Sequence, residues 1–234
     1  SADAMKLHPF YRGKIETALK CVVRDLDDFA IWYTPGVAAP CRDIQADPEK
    51  VYDHTNKWNT VAVISDGTRV LGLGDIGPKA GLPVMEGKAL LYKYLGGVDA
   101  VPIMLDTKDP ARIIETVLML QPAFGGINLE DIKAPECFEI ERRIAESTDI
   151  PVMHDDQHGT AIISSAALLN ALELAGKDIK DVRMVVSGAG AAAMSCLDLY
   201  EQLGMSPEQA DVFDSRGHIN SRREGLVESK EKYA

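Results

Sequence analysis

The feature that most constrains this chain is an alternation. From residue 59 onward, short apolar runs of strand character trade places with longer runs of helical spacing. "PVMEGKALLYKYLGG" (83–97) carries helical spacing and stops at a Gly-Gly pair, and "VDAVPIMLD" (98–106) then reads as a buried strand. "DPARIIETVLMLQPAF" (109–124) supplies another helix, and "GGINLEDI" (125–132) a short strand ending in acid. A helix over 135–147 leads to the strand "IPVMHDD". The helix "TAIISSAALLNALELAG" (160–176) is apolar on most sides, which predicts burial between two layers. Strands alternating with helices predict an α/β fold with a largely parallel sheet. One expectation departs from that pattern: "NTVAVISDGTRVLGLGD" (59–75) reads as a β-hairpin around Asp66-Gly67.

A second unit begins near residue 177. Its strand, glycine turn and helix are followed by "ADVFDSRGHI", another short strand, and by a charged tail. A doubly wound nucleotide domain has about six strands, whereas this chain has room after Gly188 for too few to cover a sheet edge. The expectation is therefore a fragment of a longer protein, with a partner supplying the remainder as the alternative. The division expected is a first domain over 1–159, a connecting buried helix over 160–176, and the first part of a nucleotide-binding domain over 177–234.

Charge narrows the partners. The formal net charge of −11 argues against nucleic acid or an anionic membrane surface. A small anionic substrate would need local positive charge or a metal to draw it in. No run approaches the ~18–20 apolar residues of a membrane span. Four scattered cysteines without a Cys-x-x-Cys pair read as reduced thiols, which points to the cytoplasm.

"VVSGAGAAAM" (185–194) places Gly188, Gly190 and Ala193 in a Gly-x-Gly-x-x-Ala pattern between strand and helix. The first glycine permits the tight turn, the second admits a pyrophosphate, and the small third residue lets helix and strand pack closely. Asp214 follows at about the spacing of the acid that binds the ribose hydroxyls of NAD and repels the 2′-phosphate of NADP. The bland alternative is a glycine turn that only packs a helix onto a sheet. Two acid pairs, Glu130-Asp131 and Asp155-Asp156, each follow a predicted strand and could converge at the carboxyl end of a parallel sheet. Three or four such acids would suit Mg²⁺ or Mn²⁺. Their alternatives are solvated loop acids and, for Asp156, the N-cap of a helix at Thr160. His154 and His158 raise zinc as an option. Lys88 lies in an apolar stretch where partial burial would lower its pKa toward that of a general base, or it snorkels from an amphipathic helix. Tyr33, before the Pro35-Gly36 turn, is a proton donor or a packed tyrosine.

Together the stretches "YTPGVAAPCRDI", "NTVAVISDGTRVLGLGDIGP", "GLPVMEGKALL", "VDAVPIMLDT", "GGINLEDI", "IPVMHDDQHGTA" and "VVSGAGAAA" resemble the malic enzyme family, its small bacterial and archaeal-type members in particular, over roughly residues 10–225. The resemblance implies a malic-enzyme-type α/β domain followed by the start of a Rossmann-type domain. It implies Tyr33 as general acid, Lys88 as general base, Asp155 as the acid that orients the lysine, and Glu130, Asp131 and Asp156 as metal ligands. Arg69 corresponds to an arginine that binds a malate carboxylate in larger members, and Gly188, Gly190, Ala191, Ala193 and Asp214 fall to the cofactor. The activity implied is oxidative decarboxylation of L-malate to pyruvate and CO₂ with NAD or NADP (NAD favoured by Asp214) and Mg²⁺ or Mn²⁺, in a homodimer or homotetramer. The alternatives are a catalytically incompetent form with an assembly or regulatory role, and a malolactic or oxaloacetate-decarboxylating variant.

Overall fold

The computed structural model describes residues 2–226 and 228–234, so Ser1 and Val227 of the expected first and last units lie outside the described residues. Four short helices come first: α1 Ala2–Tyr11, α2 Asp28–Trp32, α3 Ala38–Ala46 and α4 Val51–His54. Strand β1, Thr60–Ser65, then opens the alternation with α5 Gly77–Gly96, β2 Asp99–Met104, α6 Pro110–Leu120, β3 Gly126–Leu129, α7 Glu136–Glu146, β4 Val152–His154 and α8 Asp155–Ala175. The strands form one parallel sheet in the order β2-β1-β3-β4. Pro102 is accommodated because β2 is an edge strand, where a missing N–H costs little.

Strand residues alternate between two cores. Ala62, Ile64, Ile127 and Leu129 face Ile113, Ile114 and Val117 of α6 and Ile140 and Ile144 of α7. Val63 turns the other way, against Met85 and Ala89 of α5. Covering both faces is why these strands read as continuous apolar runs. Each large aliphatic side chain fully buried here contributes about 1.5–3 kcal/mol, and Ile140→Ala would cost about 2–5 kcal/mol.

The expected hairpin does not form. Strand β1 is interior, paired on one side with β2 and on the other with β3, so no edge is left for the next run. Instead the Asp66 carboxylate accepts from the backbone N–H of Thr68 at 3.0 Å and from its hydroxyl at 2.6 Å, turning the chain out of the sheet. Val70 makes only an isolated antiparallel bridge to Gly74.

Helix α8 also departs from expectation. It begins at Asp155 rather than near Thr160, because two acids in the first turn complement the helix dipole. Asp156 is therefore not a cap: His154 holds the N-cap position, without a side-chain cap bond. The helix is not buried all round, since Ile162, Ile163, Leu169 and Leu174 are exposed while Leu172 enters the second core. It ends at Gly176, whose φ of +63° only glycine adopts without strain.

The second unit comprises β5 Met184–Ser187, α9 Ala191–Gln202, β6 Ala210–Asp214, β7 Gly217–His218 and a last turn of helix, α10 Glu228–Glu231. Strands β5 and β6 are parallel, and β7 adds an antiparallel third strand that sequence reading missed, through a two-residue turn at Ser215-Arg216. Leu197, Met205, Val212 and Ile219 form its core. No helix among the described residues is long and apolar enough to cross a membrane. Cys21, Cys41, Cys137 and Cys196 are free thiols.

Candidate active site and metal centre

Strand order decides where a site can lie. From β1 the chain runs outward to β2, then returns to β3 on the opposite side, so the connections diverge between the carboxyl ends of β1 and β3. Glu130 and Asp131 follow β3 there, and Asp155 and Asp156 follow the neighbouring β4.

Lys88 reaches this end from α5. Its Nζ donates to Asp155 Oδ2 at 2.6 Å and lies 3.1 Å from Glu130 Oε1. Asn128 Nδ2 donates to the other Glu130 oxygen at 2.8 Å. Sequence reading passed over Asn128, although a residue two positions earlier on an extended run shares a face with Glu130. Asp131 sits at φ +54°, a left-handed conformation that asparagine and aspartate tolerate best. That bend lets its N–H donate to Asp156 Oδ2 at 2.8 Å, while its carbonyl accepts from the Arg69 N–H at 3.0 Å. Arg69 is exposed, and its charge is close enough to pull the Asp131 carboxyl downward.

Glu130, Asp131 and Asp156 each offer an oxygen, all within 4.8 Å of one another. Burial, opposed by the Asn128 hydrogen bond and the Lys88 charge, pushes the Glu130 carboxyl up to about 7. Burial and then the nearby Asp156 push Asp131 up to about 6. Asp131 Oδ2 is buried without a hydrogen-bond partner. Crowded acids, an orphaned oxygen and an all-oxygen donor set fit a hard divalent cation.

Lys88 corrects one expectation. Burial does push its pKa down, but the hydrogen bond it donates to Asp155 and the charge of Glu130 outweigh it, and the net direction is upward. The ammonium is held by Asp155 and by Glu130, the second of which is one of the three acids a cation would neutralise.

Neither histidine belongs to the ligand group. His158 Nε2 lies 2.8 Å from Glu141 Oε1. His154 is fully buried, and burial lowers its pKa against the pull of Asp156. Gln157 Nε2 donates to His154 Nδ1 at 2.9 Å, which leaves the ring hydrogen on Nε2, 3.2 Å from Asp156 Oδ2 but not aligned for a hydrogen bond. Glu141 gathers this shell, accepting from the His154 N–H at 2.7 Å. Gln157 also accepts from Ser195 on α9 at 3.4 Å, tying the cluster to the second unit.

Tyr33 stands apart. It follows α2, is 70% exposed, and makes no side-chain hydrogen bond to the cluster among the described residues.

In the second unit the glycine turn has the expected form. Gly188 takes φ +110° and its N–H donates to Phe213 O at 2.8 Å, which sets the turn beside the end of β6. A Cβ at Gly188 or Gly190 would meet nothing within 4 Å, so the space over the turn is open to a ligand. Ala191 opens α9, and Ala193 packs on the second core. Asp214 ends β6 as predicted but is already partnered. Arg223 grips it at 2.8 and 3.0 Å, the Arg216 N–H donates to it at 2.9 Å, and these hold its carboxyl well below the usual range.

Fold and site together define an α/β protein of two units, one with a lysine–carboxylate cluster at its strand ends and the other Rossmann-like with a dinucleotide-type glycine turn. Residues 12–112 match the family model for the malic enzyme N-terminal domain, and residues 157–234 that for the malic enzyme NAD binding domain. The chain belongs to the malic enzyme family. It is 51% identical to the bifunctional malic/malolactic enzyme of Bacillus subtilis (strain 168), covering 99% of this chain and 56% of that protein. Identity is 54% to the NADP-dependent malic enzyme of Escherichia coli (strain K12), covering 99% of this chain and 31% of that protein. The crystal structure of NAD-dependent malic enzyme from Thermotoga maritima superposes with a TM-score of 0.93 at 48% identity, over 98% of this chain and 61% of that one. The chain thus spans between about a third and three fifths of the length of these relatives.

Proposed function

We propose that this chain carries the substrate and metal site of a divalent-metal-dependent enzyme that oxidatively decarboxylates L-malate to pyruvate and CO₂. The observation that carries the reading is Lys88 Nζ lying 2.6 Å from Asp155 and 3.1 Å from Glu130, beside three carboxylates within 4.8 Å of one another. Glu130, Asp131 and Asp156 would hold Mg²⁺ or Mn²⁺, which when bound supplies Lewis-acid polarisation of the substrate's hydroxyl and carboxylate oxygens.

In this reading Lys88 takes the proton from the C2 hydroxyl, and Asp155 fixes the direction of its Nζ. Arg69 engages the distal carboxylate of malate. Tyr33 returns a proton to C3 after CO₂ departs; its exposure requires that it come to the substrate from outside the cluster. Gly188, Gly190, Ala191 and Ala193 would cradle the pyrophosphate of a nicotinamide cofactor, which when bound supplies a hydride acceptor. Asp214 would bind the ribose hydroxyls and favour NAD, with Arg223, which already grips its carboxylate, moderating that preference. The domain division at 159 and 176, and assembly as a homodimer or homotetramer, belong to the same proposal.

The test is turnover of L-malate with Mn²⁺ and each cofactor, in wild type and Lys88→Ala. Reduced cofactor formed only by the wild type supports the reading, and equal rates contradict it. The name of the B. subtilis relative favours a second reading, malolactic conversion. Lactate released without net cofactor reduction would support that reading instead.

A further inference from the structure

Asp155 and Gly159 stand four residues apart on α8, on the same face of the helix. We propose that Gly159 is a positioning residue, its missing side chain being the space that the Asp155 carboxylate occupies in order to meet Lys88. This rests on the roles given above to Lys88 and Asp155.

A Cβ built on Gly159 would lie 2.1 Å from Asp155 Oδ1, 2.9 Å from its Cγ and 3.4 Å from Oδ2. Contacts that short do not occur, so either the helix or the carboxylate must move. The helix is fixed by its own hydrogen bonds and runs unbroken to Ala175. The carboxylate is held through Oδ2 by Lys88 at 2.6 Å, so its displacement breaks that bond.

The backbone gives no other reason for glycine. Gly159 is not among the residues of positive φ, and in a helix interior glycine is less stable than alanine. What excludes a larger residue is the carboxylate. The contrast with Gly87 on α5 is direct, since a Cβ there would meet nothing within 4 Å.

The experiment is a double-mutant cycle of Gly159→Ala and Asp155→Ala, read by malate turnover, Mn²⁺ titration and thermal unfolding. Gly159→Ala alone should lower kcat by about a hundredfold, the scale of an ångström's misplacement of a reacting group. The KM for malate and the Mn²⁺ affinity should stay within about twofold, because the ligand carboxylates are untouched. In the Asp155→Ala background the same substitution should lower kcat no further and should raise Tm by about 2–4 °C, the ordinary helical gain of alanine. In the wild-type background that gain should be absent. Equal kcat losses in both backgrounds, or equal Tm changes in both, would overturn the proposal. Should the wild type fail to turn over malate, the proposed function fails, and the Tm cycle alone decides the role of Gly159.

Discussion

Two acids at the ends of two parallel strands show how neighbours decide what a carboxylate is for. Glu130 follows β3 and Asp214 ends β6, so topology gives them equivalent places. Glu130 is buried among Asp155 and Asp156, and its carboxyl rises to about 7 despite Lys88. Asp214 is met by Arg223 and the Arg216 N–H, and its carboxyl falls. The first cluster is short of positive charge and suited to take up a cation. The second is already neutralised by its partners and has no such need of a cation. An acid after a strand is only a position; its companions supply the chemistry.

The largest effect expected is at the lysine that bridges the first cluster. Lys88→Ala should lower kcat for malate oxidation by about a thousandfold, within the usual range for a general base, while Mn²⁺ affinity stays nearly intact. Steady-state kinetics and a Mn²⁺ titration check this, and metal binding lost with the fold retained would contradict the role.

The next prediction sharpens the electrostatic contrast through pH. The carboxyls of Glu130 and Asp131, raised to about 7 and 6, bind more protons folded than unfolded between about pH 4 and 7. Stability of the metal-free protein should therefore fall as pH rises through that window, by roughly 5 °C in Tm. Over the same window the rise in Tm produced by Mn²⁺ should grow, because the ligands lose their protons. Thermal scans at pH 5.5, 6.5 and 7.5 with and without Mn²⁺ measure both slopes. A Mn²⁺ effect that shrank with pH would reverse the assignment.

The smallest effect belongs to the second acid. Arg223→Ala removes the guanidinium that neutralises Asp214 and should favour NAD over NADP by roughly fivefold, the worth of a partly exposed charge pair. Asp214→Ala should shift the ratio the other way. The ratio of kcat/KM for the two cofactors reads both, and unchanged ratios would remove Asp214 from the ribose site.

These contrasts were partly legible in the sequence. Doubled acids after apolar runs gave away the strand ends, and the glycine turn kept its strand–turn–helix setting. What failed depended on tertiary neighbours. Asp66-Gly67 carries a hairpin signal that holds only where the strand has a free edge, and β1 has none. Partial burial of Lys88 was visible, but the two carboxylates that reverse its effect come from residues 130 and 155. The shell of His154, Glu141 and Gln157 joins α7, β4 and α8, and no local spacing announces it.

The central claim is that Glu130, Asp131 and Asp156 form a divalent-cation site, and calorimetric titration with Mn²⁺ at pH 7.5 tests it most directly. The account predicts one saturable site in the wild type and in Lys88→Ala, and an affinity at least about a hundredfold weaker in a folded Asp156→Ala, since one of three anionic ligands is gone. An Asp156→Ala protein that saturates with Mn²⁺ as the wild type does would contradict it.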